Sequence, residues 1–449
     1  MIRSLWVLPM FSTGPRQVFW LGLLLLLLQC LLIVNPGYFS HDELQWGAFS
    51  NVEHWRLLPW MGWWDSKIFQ YRPLTFNLWM LLSHFVFDRP LIVHFFFVLF
   101  GTLNGVALFL LLRRLKIDLG PSLIATLCFV LGPYGAYVHG WVATLADILW
   151  VGIALLLAHG LLLLLRKQWP LWLALLLSLL LTIPALMAKE AALAIPALLG
   201  LVWMLSGWQR FWGWAFVGSC LPALVYLAIR LPVLLWQPRD SYGITLWDIP
   251  KRWLEYYLFV PDILRFEIGG TWYEPKLALL AFSALMVSVS VMLWRAYRPG
   301  FWLFTLGGAL ALGPVLILEF SANQYGYGFA AVIFSALAMS WQRLQRPGKL
   351  LTGAVVVCVL LHGFFVQAVM HKMGRKQAVF QPALIEVLQQ HDGVLRLQLP
   401  ERFTWFYQRI THDIPSYRGV KMGDRVQLVD SAETAHYRIA DNGELIKIQ

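Results

Sequence analysis

"PLWLALLLSLLLTIPALMA" (170–188) runs without a single charge, and Lys189 and Glu190 follow it at once. A helix of about 20 apolar residues, rising 1.5 Å per residue, crosses the ~30 Å hydrocarbon core of a bilayer. The stretch therefore reads as a membrane span that stops at two charges. The rest of the chain repeats the pattern, as in "VFWLGLLLLLLQCLLIVNPG" (18–37). Of its 449 residues 59% are hydrophobic and only 13% charged, with mean hydropathy +0.64. Soluble chains carry about a quarter charged residues, so a polytopic membrane protein is expected.

Apolar runs place spans near 18–35, 91–112, 121–138, 141–165, 170–187, 191–206, 211–235, 277–294, 301–319, 324–341 and 350–370, about eleven helices. The formal charge of +11 comes from short basic gaps between runs: Arg113-Arg114-Leu115-Lys116, Arg166-Lys167, Arg295 with Arg298, and "QRLQRPGK" (342–349). That is the positive-inside pattern of cytoplasmic loops. The charge reports topology, and no nucleic-acid partner is expected. Arg3 and Arg16 precede the first run without a small-residue cleavage site, which reads as an uncleaved first span with the N-terminus inside. Cys30, Cys128, Cys220 and Cys358 all lie in apolar runs without metal-like spacing, so neither a disulfide framework nor a zinc site is implied. Counting "PLTFNLWMLLSHFVFD" (73–88) as a span would put later basic loops outside, so it is expected in the outer interface or packed on the bundle.

This parity leaves the long loops 36–90 and 236–276, and everything after about His371, on one outer face. Loop 236–276 mixes Trp247, Trp253, Tyr256, Tyr257 and Phe259 with alternating charges, the composition of an amphipathic helix at headgroup level. The division expected is a membrane module over 1–371 and a small outer α+β domain over 372–449. In the latter, "PALIEVLQQHDG" reads as a short helix ended by glycine, and "AHYRIADNGELIKIQ" as a hairpin around Asp441-Asn442-Gly443.

The informative residues are ionisable or polar groups at the expected outer boundary, where burial is expensive and usually functional. They are His41, Asp42, Glu43, Tyr71, Arg72, His139, Asp147, Lys189 and Glu190. Adjacent residues on a helix point about 100° apart, so only one of Asp42 and Glu43 can face a given substrate atom. One would act as general base while the other orients it or holds a metal. The competing reading is a helix start, since "SHDE" is also a capping box. Lys189-Glu190 is either a tight turn with snorkelling charges or a site for an anionic lipid headgroup. Asp147 is a site candidate or the partner of an interhelical hydrogen bond. His94, His159 and His362 show no ligand spacing.

Taken together, the acidic pair in the first outer loop, "YRPLTFNLW" later in it, "GWVATLADILW" opening a span and "AKEAALAIP" between two spans resemble the GT-C glycosyltransferases. The likeness is greatest to the protein O-mannosyltransferase-like branch and to aminoarabinose transferases, and the length with an extra outer domain is similar to pilin arabinofuranosyltransferases. The resemblance covers roughly residues 1–371. It implies a GT-C-like fold in a bacterial inner membrane, with the N-terminus cytoplasmic and the C-terminus periplasmic. It also implies a polyprenyl-phosphate-linked sugar donor, a protein or glycolipid acceptor, and transfer with inversion at the outer face. Carried over by position, Asp42 is the catalytic carboxylate. Tyr71-Arg72-Pro73 matches the arginine-proline segment, and Lys189-Glu190 the pair near the donor phosphate. The late-span motif departs from the pattern, with Gln324 before Tyr325 where relatives often carry an arginine.

Chemistry fits independently. A phosphate ester is a good leaving group, so one carboxylate to take the acceptor's proton and cations for the departing phosphate suffice. Arg72 and Lys189, with Arg230 or Arg239, supply the cations. No cofactor is required, and a divalent metal at residues 41–43 is left open, with none expected. Two other classes compete: a flippase for lipid-linked sugars, which would need intramembrane charges and broken helices, and an O-antigen-type polymerase or ligase. An acidic pair in the first loop speaks against the latter.

Overall fold

A computed structural model describes residues 14–68, 70–236, 243–268, 276–414 and 416–448. It is mostly helical, with a small sheet near the C-terminus. Among the described residues seven helices are long and apolar enough to cross a membrane, or eight if Leu119–Leu131 and Pro133–Gly140, bent by 48° at Gly132, count as one. Eleven were expected. Each of the eleven runs is helical, but three make helices too short to qualify: Pro15–Leu27, Glu190–Leu205 and Gly326–Ser340. Breaks in the backbone explain the difference, because composition reports burial in an apolar medium but not where a helix is interrupted.

Gly326–Ser340 is the centre of the bundle. It is flanked by Leu119–Leu131, Val142–Arg166 and Arg298–Ile317, and its side chains are buried on nearly every face. A helix apolar all round belongs in such a place. Leu171–Ala188 lies along Arg210–Trp236 and against Val142–Arg166. Lys276–Ala296 sits at the periphery, with Leu277, Leu280 and Val287 pointing outward. Apolar side chains left exposed in this number need an apolar surrounding.

Arg346–Gln390 spans 45 residues, about 68 Å at 1.5 Å per residue, twice what a bilayer core needs. The domain boundary expected at 371–372 falls inside this continuous helix, so it is not a break in the chain. "PALIEVLQQ" is the end of the same helix rather than a separate one. Beyond it come the strands β1 (Leu395–Gln398), β2 (Ser416–Tyr417), β3 (Val420–Lys421), β4 (Val426–Val429), β5 (Tyr437–Ile439) and β6 (Leu445–Lys447), with the helix Thr404–His412 between β1 and β2. The sheet order is β4-β1-β5-β6, parallel about β1 and antiparallel for β5-β6. The expected hairpin is that last pair, with Gly443 at φ +96° in its turn.

The segment around 249 differs from expectation. Ile249–Phe259 is amphipathic, yet Tyr256, Tyr257, Leu258 and Phe259 are buried against the bundle. Arg252 donates to the Leu316 carbonyl at 2.7 Å, and the Ile244–Leu318 bridge closes the same contact. The helix is tucked in, not laid on the surface. Pro73–Val86 does pack on the bundle as expected: the Thr75 hydroxyl donates to the Ala188 carbonyl at 2.8 Å.

The long helix crosses the Leu131–Gly132 backbone at Gly363, where a Cβ would strike the Leu131 carbonyl, whereas Gly353 on the same helix has nothing within 4 Å. We expect Gly363→Ala to destabilise the fold by on the order of 1–3 kcal/mol through overpacking. Gly353→Ala should be neutral or stabilising by up to about 1 kcal/mol. Thermal unfolding in one detergent checks the pair, and equal melting temperatures would mean that the crossing is not tight.

Candidate functional site

The helix ending at Ala188 cannot continue through Lys189, whose backbone is extended (φ −161°, ψ 142°), and the chain restarts at Glu190 as a 3-10 turn. The break turns Lys189 inward. Its ammonium donates to both Asp147 oxygens, at 2.7 and 2.6 Å, and both side chains are at most 3% exposed. Neither charge snorkels; they satisfy one another. Arg72 forks onto Glu190, Nε to Oε2 at 2.9 Å and Nη2 to Oε1. The Tyr325 ring lies 4.8 Å from Lys189 Nζ. Arg230 stacks 5.5 Å over Tyr71 and donates to the Ser66 carbonyl, while the Tyr71 hydroxyl donates to that of Trp63. The structure thus brings together Tyr71, Arg72, Asp147, Lys189, Glu190, Arg230 and Tyr325. Two cations face two carboxylates, and Arg230 adds one positive charge.

A second group surrounds the first loop. Ser40–Glu43 is the capping box expected, at the start of the short helix His41–Trp46. Glu43 is buried, and one oxygen accepts from Phe39 N (2.6 Å) and Ser40 N (2.9 Å). Its other oxygen accepts from Val142 N at 2.6 Å, which pins the loop to the start of the Val142–Arg166 span. Asp147 is five residues further on, about 8 Å of helix rise. Burial pushes the Glu43 carboxyl up to about 8, against the pull of its three N–H donors.

Asp42 points elsewhere and is half-exposed. His41 Nε2 is 3.2 Å from Asp42 Oδ1 and 3.9 Å from Asp413, and the Gln45 amide donates to the Asp413 backbone carbonyl at 2.6 Å. The Asp42 carboxyl is raised by desolvation; His41 and Arg409 pull it down and Asp413 pushes it up. Arg409 also acts on Glu267. Below them is an aromatic floor: Phe39 meets Tyr137, Trp141, Phe266 and Trp405 edge-on, with ring centroids 5.6–6.3 Å apart. Asp42 therefore sits in a cleft walled by the first loop, the Tyr137–Trp141 segment, residues 266–267 and the C-terminal helix Thr404–His412. Phe39, Tyr137 and Trp141 are buried, so they support this wall from beneath, and the groups that can hydrogen-bond a polyhydroxylated ligand are the carboxylates and Arg409.

The other expected residues fall differently. His139 is deep in the bundle, hydrogen-bonded to Gln29 (2.7 Å) and the Tyr327 hydroxyl (2.9 Å), and is not brought to either group. Gln324 is half-buried beside Tyr325 in the Asn323–Tyr325 turn. Arg239 lies outside the described residues. Among the described residues no three His, Cys, Asp or Glu side chains are placed to hold a metal. Sequence reasoning missed Glu267, Trp405, Arg409 and Asp413. Only the apolar-charged alternation of "TWFYQRITHD" (404–413) hinted that this helix presents a packed face. Compared with protein-family models, curated proteins and solved structures, the chain matches none.

Glu43 and Asp42 are separable by experiment. Glu43→Ala leaves three backbone N–H groups without their acceptor and should cost on the order of 3 kcal/mol, whereas Asp42→Asn should stay within about 0.5 kcal/mol. Because the folded carboxyl of Glu43 binds its proton more tightly than the unfolded one, its contribution is complete below the unfolded value of 4.5 and is lost as pH rises through about 8. Melting temperature should therefore fall between pH 5 and pH 9, and fall less in Glu43→Gln. The same slope in both would place the titration on another group.

Proposed function

We propose that the protein is an inverting glycosyltransferase that moves one sugar from a polyprenyl-phosphate donor to a hydroxyl acceptor. It would work at the periplasmic face of a bacterial inner membrane, with the N-terminus cytoplasmic and the C-terminus outside. The observation that carries this reading is the double anchoring of the first loop. Glu43 ties the loop to Val142, and Arg72 ties it to Glu190, so a half-exposed carboxylate and a cation cluster are held on one framework. In the reaction, Asp42 takes the acceptor's hydroxyl proton as its oxygen bonds to the anomeric carbon. The bond from that carbon to the donor phosphate breaks, and the phosphate leaves with the electron pair. Arg72, Lys189 and Arg230 are the groups that would receive it.

A raised carboxyl in a cleft beside an arginine is the environment expected of a base. Half-buried Phe266 and Trp405 at the edge of the aromatic floor are the rings that a sugar or a glycosyl acceptor could reach. A cavity of ≈ 670 Å³ between Trp253, Tyr257, Met286, Trp294, Phe301 and Phe304 has an apolar lining fit for an isoprenoid chain. The acceptor could be a protein such as a pilin, a lipid or a polysaccharide.

A flippase for lipid-linked sugars is the second reading, and two observations favour it: the bent pair of helices at Gly132 and the buried Lys189–Asp147 pair. Purified protein offered a panel of short-chain polyprenyl-phosphate sugars and candidate acceptors, with products read by mass spectrometry, separates the two. We expect donor-dependent transfer that falls by about 10²-fold or more in Asp42→Asn, with donor binding retained. Near-normal turnover in the variant would remove Asp42 from the role of base. Movement of donor across vesicles without transfer would establish the flippase.

A further inference from the structure

"HWRLLPWMGWWDSK" (54–67) lends only two backbone carbonyls to the groups above, yet it carries four of the chain's 24 tryptophans. Trp64 is 93% exposed and Leu57 68%, with Trp55, Trp60, Trp63 and Ile68 also exposed. This is not a floppy hydrophobic loop. Asn77 of the Pro73–Val86 helix clamps Met61 twice, accepting from its N–H (2.8 Å) and donating to its carbonyl (3.0 Å). Tyr71 holds the Trp63 carbonyl and Arg230 that of Ser66. The backbone is tied down while the rings face away from the core.

Two properties identify what covers them. First, the surface continues an apolar one: Arg230, which holds Ser66, lies in the Arg210–Trp236 helix between exposed Ile229 and Leu231, and that helix has the length and hydropathy of a span. Second, the stretch carries Arg56 and Lys67 against Asp65, a formal charge of +1 that Glu53 just before it cancels. A polybasic lipid clamp would show a cationic excess; a tryptophan-rich, neutral surface matches the headgroup layer, where amphipathic rings concentrate.

We propose that residues 54–68 are an interfacial anchor, seated in the bilayer headgroup layer by tryptophan burial and indifferent to lipid charge. Through Tyr71 and Asn77 it fixes the depth of Arg72 relative to the membrane. The proposal rests on the membrane-spanning helices and not on any reaction.

Spin labelling of the full chain tests it. Cys30, Cys220 and Cys358 are replaced by Ser, and buried Cys128 is left in place. A nitroxide is then attached at Trp64→Cys or Leu57→Cys, with Glu444→Cys on the exposed end of the β5-β6 hairpin as the water reference. Collision rates with oxygen and with a polar nickel chelate are measured in nanodiscs of pure phosphatidylcholine, and with phosphatidylglycerol added. The expected result is a shift towards oxygen at both loop positions relative to 444, equal in the two lipids. A water-like ratio at either position overturns the anchor. So does a shift seen only with phosphatidylglycerol, which would mean electrostatic attachment. Protection from both collision partners would mean a protein contact and overturns it too.

Discussion

A lysine and an aspartate taken out of water must find each other or shed their charges, and in this bundle Lys189 and Asp147 do so at 2.6–2.7 Å. That constraint organises what lies around it. The ammonium reaches Asp147 only because the helix breaks at Lys189, and the break sets Glu190 one residue on, where Arg72 can fork onto it. Arg72 in turn fixes the end of the first long loop, and with it Tyr71 and the tryptophan segment that Tyr71 holds. Removing one member of a buried pair leaves an uncompensated charge, typically about 3–5 kcal/mol. Such a pair adds little net stability while intact, because the cost of taking both charges out of water offsets much of their attraction.

Some of this was legible in the sequence and some was not, for identifiable reasons. Arg72, Asp147, Lys189 and Glu190 stand out because charge in an apolar context is costly, and that cost is a property of each residue alone. Their pairing is a property of the fold. Adjacent Lys189 and Glu190 invite reading as a unit, yet each pairs with a residue more than forty positions away. The capping box at residues 40–43 was readable because its three-residue spacing is local. The bond from the second Glu43 oxygen to Val142 joins residues 99 positions apart, and no local pattern encodes it.

The span count and the missing half of the Asp42 cleft illustrate the same boundary. Hydropathy located every apolar run, and the charges at Lys189 and Glu190 marked the end of one, but the break at Gly132 inside the 121–138 run was not legible, since it changes backbone angles and not hydropathy. The amphipathic pattern of Ile249–Phe259 announced one apolar face without naming the surface it meets, which is the bundle. Trp405, Arg409 and Asp413 lie in a stretch of ordinary soluble composition, where a tryptophan and an arginine carry no special weight. They gain it only because the 45-residue helix carries this part of the chain back against the first loop.

The charge balance of the cation cluster bears on how an anionic ligand would use it. Arg72 and Lys189 already hold carboxylates at hydrogen-bonding distance, in surroundings where such contacts are strong because little water screens them. A phosphate arriving at Arg72 or Lys189 would compete with Glu190 and Asp147, and the net positive charge of the cluster is that of Arg230. What it can add to are donor positions the carboxylates leave open, since an ammonium has three N–H groups and a guanidinium five. Lys189 spends two contacts on Asp147 and Arg72 two on Glu190. A cluster built this way would bind an anion less tightly than bare cations would, and under the transfer reaction proposed above, in which a phosphate-bearing lipid leaves after each cycle, moderate affinity is the more useful property.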